Sequence, residues 1–109
     1  MARDERLAGR TVVVTGAARG LGAALARELA HRGAWLALLG HERPLLEAVA
    51  ASLPTPSLAL AVDITDDEAL ARAAREVRER LGRPSVVVAN AGVAEGGPFA
   101  SSDPASWRR

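Results

Sequence analysis

A glycine-rich turn, Thr15-Gly16-Ala17-Ala18-Arg19-Gly20-Leu21-Gly22, lies between the β-branched run Thr11 to Thr15 and an Ala/Leu-rich stretch from Leu21 to His31. A strand that feeds such a turn and then a helix leaves backbone N–H groups and the positive end of a helix dipole aimed at one point. That arrangement is an anion site, suited to a phosphate. The three glycines have separable roles: Gly16 permits the tight turn, Gly20 the close approach of a pyrophosphate, and Gly22 the close packing of helix on strand. The spacing is GxxxGxG rather than the GxGxxG of ordinary dinucleotide folds. A purely structural glycine turn in an unrelated α/β protein is the competing reading; the position between strand and helix favours the phosphate.

The rest of the chain repeats the strand-helix alternation. Val12, Val13 and Val14 form a continuous apolar run, as in a parallel strand buried on both faces. A helix follows from Gly20 to Arg32, with Leu21, Leu25 and Leu29 recurring on one stripe and the basic His31 and Arg32 before Gly33 at its end. Trp35 to Leu39 reads as a second strand, Pro44 to Leu53 as a helix, and Ser57 to Val62 as a third strand. Thr65-Asp66-Asp67-Glu68 is a capping-box pattern, with Thr65 as the cap of a helix running to about Leu81. Glu68/Arg72, Arg72/Glu76 and Arg75/Glu79 make its solvated, ion-paired face. Gly82 and Pro84 stop it. Val86 to Val88 form a fourth strand running into Asn90-Ala91-Gly92, and Asp103-Pro104 marks the start of a further helix. This alternation predicts an α/β fold with a parallel sheet and right-handed crossovers; by analogy with doubly wound folds it is a Rossmann-like, doubly wound parallel sheet in the order 3-2-1-4, truncated after about four strands. The fourth strand is then an exposed apolar edge, which favours association.

Composition narrows the partners. The 109 residues are 49% hydrophobic and 25% charged, enough for one folded domain over 1–109 with residues 1–9 as a leader segment. A net charge of +1 gives no nucleic-acid footprint. Cysteine is absent, so disulfides and thiolate metal sites are excluded, which suits a cytoplasmic protein. The charged Met1-Ala2-Arg3-Asp4-Glu5-Arg6 start has no apolar segment of a secretory signal, and no run approaches the roughly 20 apolar residues that span a bilayer. No metal site is expected: His31 has no second His at ligand spacing and reads as a helix-end residue. Trp35, Phe99 and Trp107 read as packing residues. A P-loop would need a Lys after its glycines, and the chain has none.

With Asp63 ending the third strand and Asn90-Ala91-Gly92 after the fourth, the glycine turn resembles the nucleotide-binding half of the short-chain dehydrogenase/reductase family. The resemblance runs from Gly9 to Arg109. It implies that Thr15, Gly16, Arg19, Gly20, Leu21 and Gly22 surround the cofactor's phosphates. It gives Asp63, with Ile64 beside it in Val62-Asp63-Ile64-Thr65, the adenine amino group; a plain strand-end carboxylate is the alternative. Asn90, Ala91 and Gly92 match the family's Asn-Asn-Ala-Gly with Ala89 in the first place, a segment that steadies the sheet beside the nicotinamide ribose. The ribose 2′ position is read at the end of the second strand. Gly40 stands there with His41 after it, so no carboxylate repels a 2′-phosphate, and Arg19 occupies a place where NADP-preferring relatives carry a basic residue. NADP is therefore favoured over NAD. Glu42 opposes this, since a shift of one residue brings it to the ribose, and His41 is equally readable as a loop residue without a ligand.

The same resemblance implies hydride transfer between a nicotinamide and an alcohol or carbonyl carbon. The family performs it with a Ser and a Tyr-x-x-x-Lys, but the chain contains neither Tyr nor Lys. No catalytic residue is assigned, and the chain is expected to be the cofactor-binding N-terminal portion of such an oxidoreductase, inactive alone. The small alcohol or ketone substrate and the homo-oligomer belong to a full-length form. The alternative is a complete, non-catalytic nucleotide-binding or interaction module, or a nonfunctional remnant.

Overall fold

The computed structural model describes residues 5–89. Along them run β1 (Thr11–Thr15), α1 (Gly20–His31), β2 (Trp35–Gly40), α2 (Arg43–Ala51), β3 (Ser57–Ala61), α3 (Asp67–Arg80) and β4 (Pro84–Val88). The strands form one parallel sheet, as the alternation predicts, in the order β3-β2-β1-β4 expected by analogy with doubly wound folds. Asn90, Ala91 and Gly92, the helix expected at Asp103-Pro104, and Phe99 and Trp107 lie outside the described residues.

The apolar run in β1 works on both faces of the sheet. Val12 and Val14 join Leu36 and Leu38 of β2 beneath α1 and α2. Val13 joins Ala37 and Leu39 beneath α3, with Leu70, Ala73, Ala74 and Val77 closing that layer. All five residues of β1 are buried, as expected for a central parallel strand covered on both sides. At the edge, β4 leaves Ser85 and Val86 exposed, the latter at 44%. Pro84 does not precede this strand but begins it, a position where its missing N–H breaks no internal ladder bond.

Two local expectations give way to packing. The leucine stripe of α1 is not its buried face: Leu21 is 68% exposed, while Gly22, Ala23, Ala26 and Ala30 lie against the sheet. Small side chains let the helix sit down on β1 and β2, and the larger leucines flank the contact. On α3 the ion pair that forms joins Glu76 and Arg80 at 3.3 Å, in place of the three expected pairs. Exposed pairs of this kind are worth only tenths of a kcal/mol, too little to fix a rotamer.

If the alanine stripe sets the helix-sheet distance, Ala26→Leu should overpack it and cost about 1–3 kcal/mol in denaturant unfolding. Leu21→Ala should change stability by less than about 0.5 kcal/mol. A reversed ranking would return the buried face to the leucines.

Candidate functional site

Because every strand is parallel, their C-terminal ends and the following helix N-termini collect at one edge. The strand order reverses between β1 and β4, and in open α/β sheets the ligand crevice lies outside such a reversal. The glycine turn stands there. Gly16 has φ 64° and Gly20 φ 61°, left-handed conformations that disfavour any side chain. A Cβ on Gly20 would meet nothing within 4 Å, so the turn presents bare backbone to open space. No side chain caps α1 and no acidic residue occupies its first turn, leaving the positive end of its dipole uncompensated by side chains. Leu21 projects beside this opening, while Gly22 is buried against the sheet. The turn is anchored from below: the Ala17 N–H donates to the Leu39 carbonyl at 3.2 Å. Thr15 is fully buried, its Oγ1 donating to the Val88 carbonyl at 3.4 Å, so its hydroxyl links β1 to β4 rather than facing outward.

At the end of β2, the absence of a carboxylate has a steric side. A Cβ on Gly40 would stand 3.3 Å from Cδ2 of Leu46, which is fully buried under the sheet. Glycine there lets α2 close over β2, a constraint the sequence does not display. His41 is exposed, and beyond it Glu42 forms an ion pair with the Arg19 guanidinium across the mouth of the turn. The sequence offered these two residues as opposing indicators of cofactor form, and their bond to each other was not read from it. The only hint was that each precedes a helix at the same edge, Arg19 at α1 and Glu42 at α2.

At the end of β3, Asp63 is exposed and its Oδ1 accepts two bonds from Thr65, from the N–H at 2.9 Å and from Oγ1 at 2.7 Å. Thr65 is therefore spent on this turn, and the cap of α3 is Asp66, whose Oδ1 accepts from the Ala69 N–H at 3.1 Å. That corrects the expectation of Thr65 as cap: the Asp63 carboxylate is the stronger acceptor within its reach. The Thr65 hydroxyl and then the Thr65 N–H hold the Asp63 carboxyl below the usual aspartate range, opposed by desolvation and assisted by the charge of His41. Asp63 is thus an ionised acceptor at neutral pH, and a carboxylate has about four acceptor positions, of which Thr65 uses two. Ile64 is half-buried and packs against the α3 layer.

Elsewhere the molecule is plain. An open depression of about 290 Å³ between Ala30, His31, Gly33, Trp35, Pro54 and Thr55 lies at the opposite end of the strands and holds none of the candidate residues. His31 directs Nδ1 to the Arg27 carbonyl at 2.7 Å, the helix-end contact expected of it. Among the described residues no cluster of His, Asp or Glu could hold a metal ion, and no helix is long and apolar enough to cross a membrane.

The chain has clear relatives. The family model for short chain dehydrogenase matches residues 10–109. A meso-2,3-butanediol dehydrogenase of Serratia marcescens is 37% identical over 105 residues, covering 95% of this chain and 42% of the relative. A cis-4-hydroxycyclohexanecarboxylate dehydrogenase of Sinomonas cyclohexanicum is 40% identical over 109 residues, covering 96% of this chain and 43% of the relative. Among solved structures, a metagenomic short-chain oxidoreductase in complex with NADP superposes with a TM-score of 0.75 at 39% identity, covering 94% of this chain and 48% of that one. The chain therefore spans less than half the length of the relatives it matches.

The Asp63 turn carries its own pH signature. Its lowered pKa makes the charged turn stabilising above the unfolded-state value, and that contribution is lost as pH falls through the lowered native value. A carboxyl-carbon NMR titration should place the Asp63 midpoint below ordinary aspartates, and Thr65→Ala should move it upward. An unmoved midpoint would mean that the Thr65 hydroxyl does not hold the carboxylate.

Proposed function

The chain belongs to the short chain dehydrogenase family, and we propose that its residues form the cofactor-binding part of an NAD(P)-dependent oxidoreductase acting on an alcohol or carbonyl substrate. The observation that carries this reading is the uncapped start of α1 beside two left-handed glycines, at the edge where the strand order reverses. The N–H groups at Gly20, Leu21 and Gly22 would hold the pyrophosphate, and Gly20 leaves the room for its approach. Asp63 would accept from the adenine amino group, and Leu21 would cover the cofactor with an exposed apolar side chain. When bound, the nicotinamide supplies hydride chemistry. In this reading Asn90, Ala91 and Gly92, outside the described residues, would serve the nicotinamide ribose.

NADP is the favoured form. Arg19 would provide a cation at the ribose end, His41 lies beyond β2, and Gly40 leaves no carboxylate at the strand's last position. The NADP-bound state of the metagenomic relative supports the same choice. No proton donor is proposed from these residues, since the sequence has neither Tyr nor Lys.

Binding of NADP and NAD to the full chain, followed by calorimetry, tests the reading. Gly20→Val should abolish binding of both, by filling the phosphate approach and straining a φ of 61°; unchanged affinity in a folded variant rejects the site. Asp63→Ala should weaken both cofactors alike, by about tenfold or more for a lost charge-assisted bond. A loss confined to one cofactor would move Asp63 away from the adenine.

A further inference from the structure

Among the described residues no strand lies beyond β3, the sheet edge farthest from β4. The Pro56 carbonyl accepts from the Leu36 N–H at 3.1 Å, and the Val62 N–H donates to the Gly40 carbonyl at 2.8 Å. The even-numbered residues of this segment therefore turn their peptide groups to β2. By the two-residue period of a strand, Ser57, Ala59 and Ala61 turn theirs outward, along the edge. Edge strands are commonly guarded by a charge, an internal proline or a bulge. β3 has no charged side chain, no proline within its bounds and an unbroken register from Ser57 to Ala61. We propose that this edge is a homodimer interface, in which β3 pairs antiparallel with β3 of a second copy about a twofold axis at Ala59. The inference goes beyond the nucleotide reading and does not rest on it.

The strand's own pattern favours a second copy over an unrelated peptide. Ser57-Leu58-Ala59-Leu60-Ala61 reads almost alike in both directions about Ala59, as a self-complementary twofold contact requires. In that pairing Ala59 meets its own counterpart, Ser57 meets Ala61, and Leu58 meets Leu60. The outward-facing residues thus fall at the hydrogen-bonded positions of an antiparallel ladder, where each pair exchanges both N–H···O bonds. Leu58 and Leu60 fall at the non-bonded positions, where facing side chains approach most closely. Both leucines pack on the α3 layer yet stay half-buried. An axis normal to the sheet keeps the leucines of both copies on one face, where each covers surface the other leaves open. Pro56 faces Val62 of the second copy at another non-bonded position, so its missing N–H costs no bond. Charge does not oppose the pairing: Asp63 lies in line with Thr55 of the second copy, and the two Asp63 carboxylates stand at opposite ends of the seam. Area limits its strength. A five-residue edge covers less than the roughly 1,200–2,000 Å² of a stable interface, so the dimer is weak and concentration-dependent.

The test is amide hydrogen exchange by NMR on the unaltered full chain at rising concentration, with sedimentation equilibrium alongside. The Ser57, Ala59 and Ala61 amides should exchange freely in dilute solution and slow by about tenfold once roughly nine copies in ten are paired. Leu58 and Leu60, whose amides already face β2, should keep their rates. Ala59→Pro removes an outward N–H and no bond to β2, so the variant should fold and remain a monomer where the unaltered chain dimerises. If Ala59→Pro does not fold, the exchange pattern of the unaltered chain decides alone. A chain that stays monomeric at millimolar concentration overturns the proposal. So does a dimer in which Ala59 and Ala61 exchange at their monomer rates, or one that survives Ala59→Pro, since either places the contact on another face.

Discussion

Parallel strand direction is the constraint on which the rest depends. Each strand must be followed by a crossover that returns the chain to the same starting edge, so each also delivers a helix N-terminus to the opposite edge. That edge therefore gathers backbone donors and positive dipole ends without any side chain being selected for the purpose. Among the described residues, the three helices that start there are finished differently. α3 is closed by Asp66 and carries Asp67 and Glu68 in its first turn. α1 and α2 have no side-chain cap and no acid in the first turn. The helix starts at that edge without a side-chain cap bond are therefore α1 and α2, the two joined by the Arg19–Glu42 pair.

The fold was legible because its signals are of the kind a sequence carries directly. Continuous valines in β1, glycine and proline punctuation, and helix periodicity gave each element among the described residues, and analogy with doubly wound folds gave the strand order. The boundaries moved by a residue or two at ends such as Arg32 and Leu53, where the last turn is decided by local hydrogen bonding. The buried face of α1 was less legible. Leucine spacing is the louder signal, yet Ala23, Ala26 and Ala30 are the residues that a close helix-sheet approach requires. Nothing in a one-dimensional pattern states that distance.

At the site, features that follow from backbone conformation were readable: Gly16 makes the left-handed turn expected of it, and Gly20 leaves open space above its backbone. The residues whose role depends on a neighbour were not. Gly40 is small because Leu46 lies against it, Thr65 is drawn to Asp63 rather than to its helix, and Glu42 finds Arg19 from the far side of α1 and β2. Each of these is a contact between separate elements, and each became visible only when the elements were brought together.

The pairing of β1 with β4 has a kinetic consequence. The β1–β2 and β2–β3 pairs each join strands that are consecutive in the chain, while β1–β4 joins Thr11 to Pro84 across all the intervening elements. It closes the longest loop in the sheet, and its register shifts between Thr11 and Val12. Beyond the ladder, side chains reinforce it at both ends, through Thr11 to the Leu81 carbonyl and Thr15 to the Val88 carbonyl. β4 is thus the strand whose pairing carries the largest loop-closure cost in the sheet. The edge where the strand order reverses lies at that seam, so an occupant spanning β1 and β4 would add its binding free energy to the pairing that costs most to close.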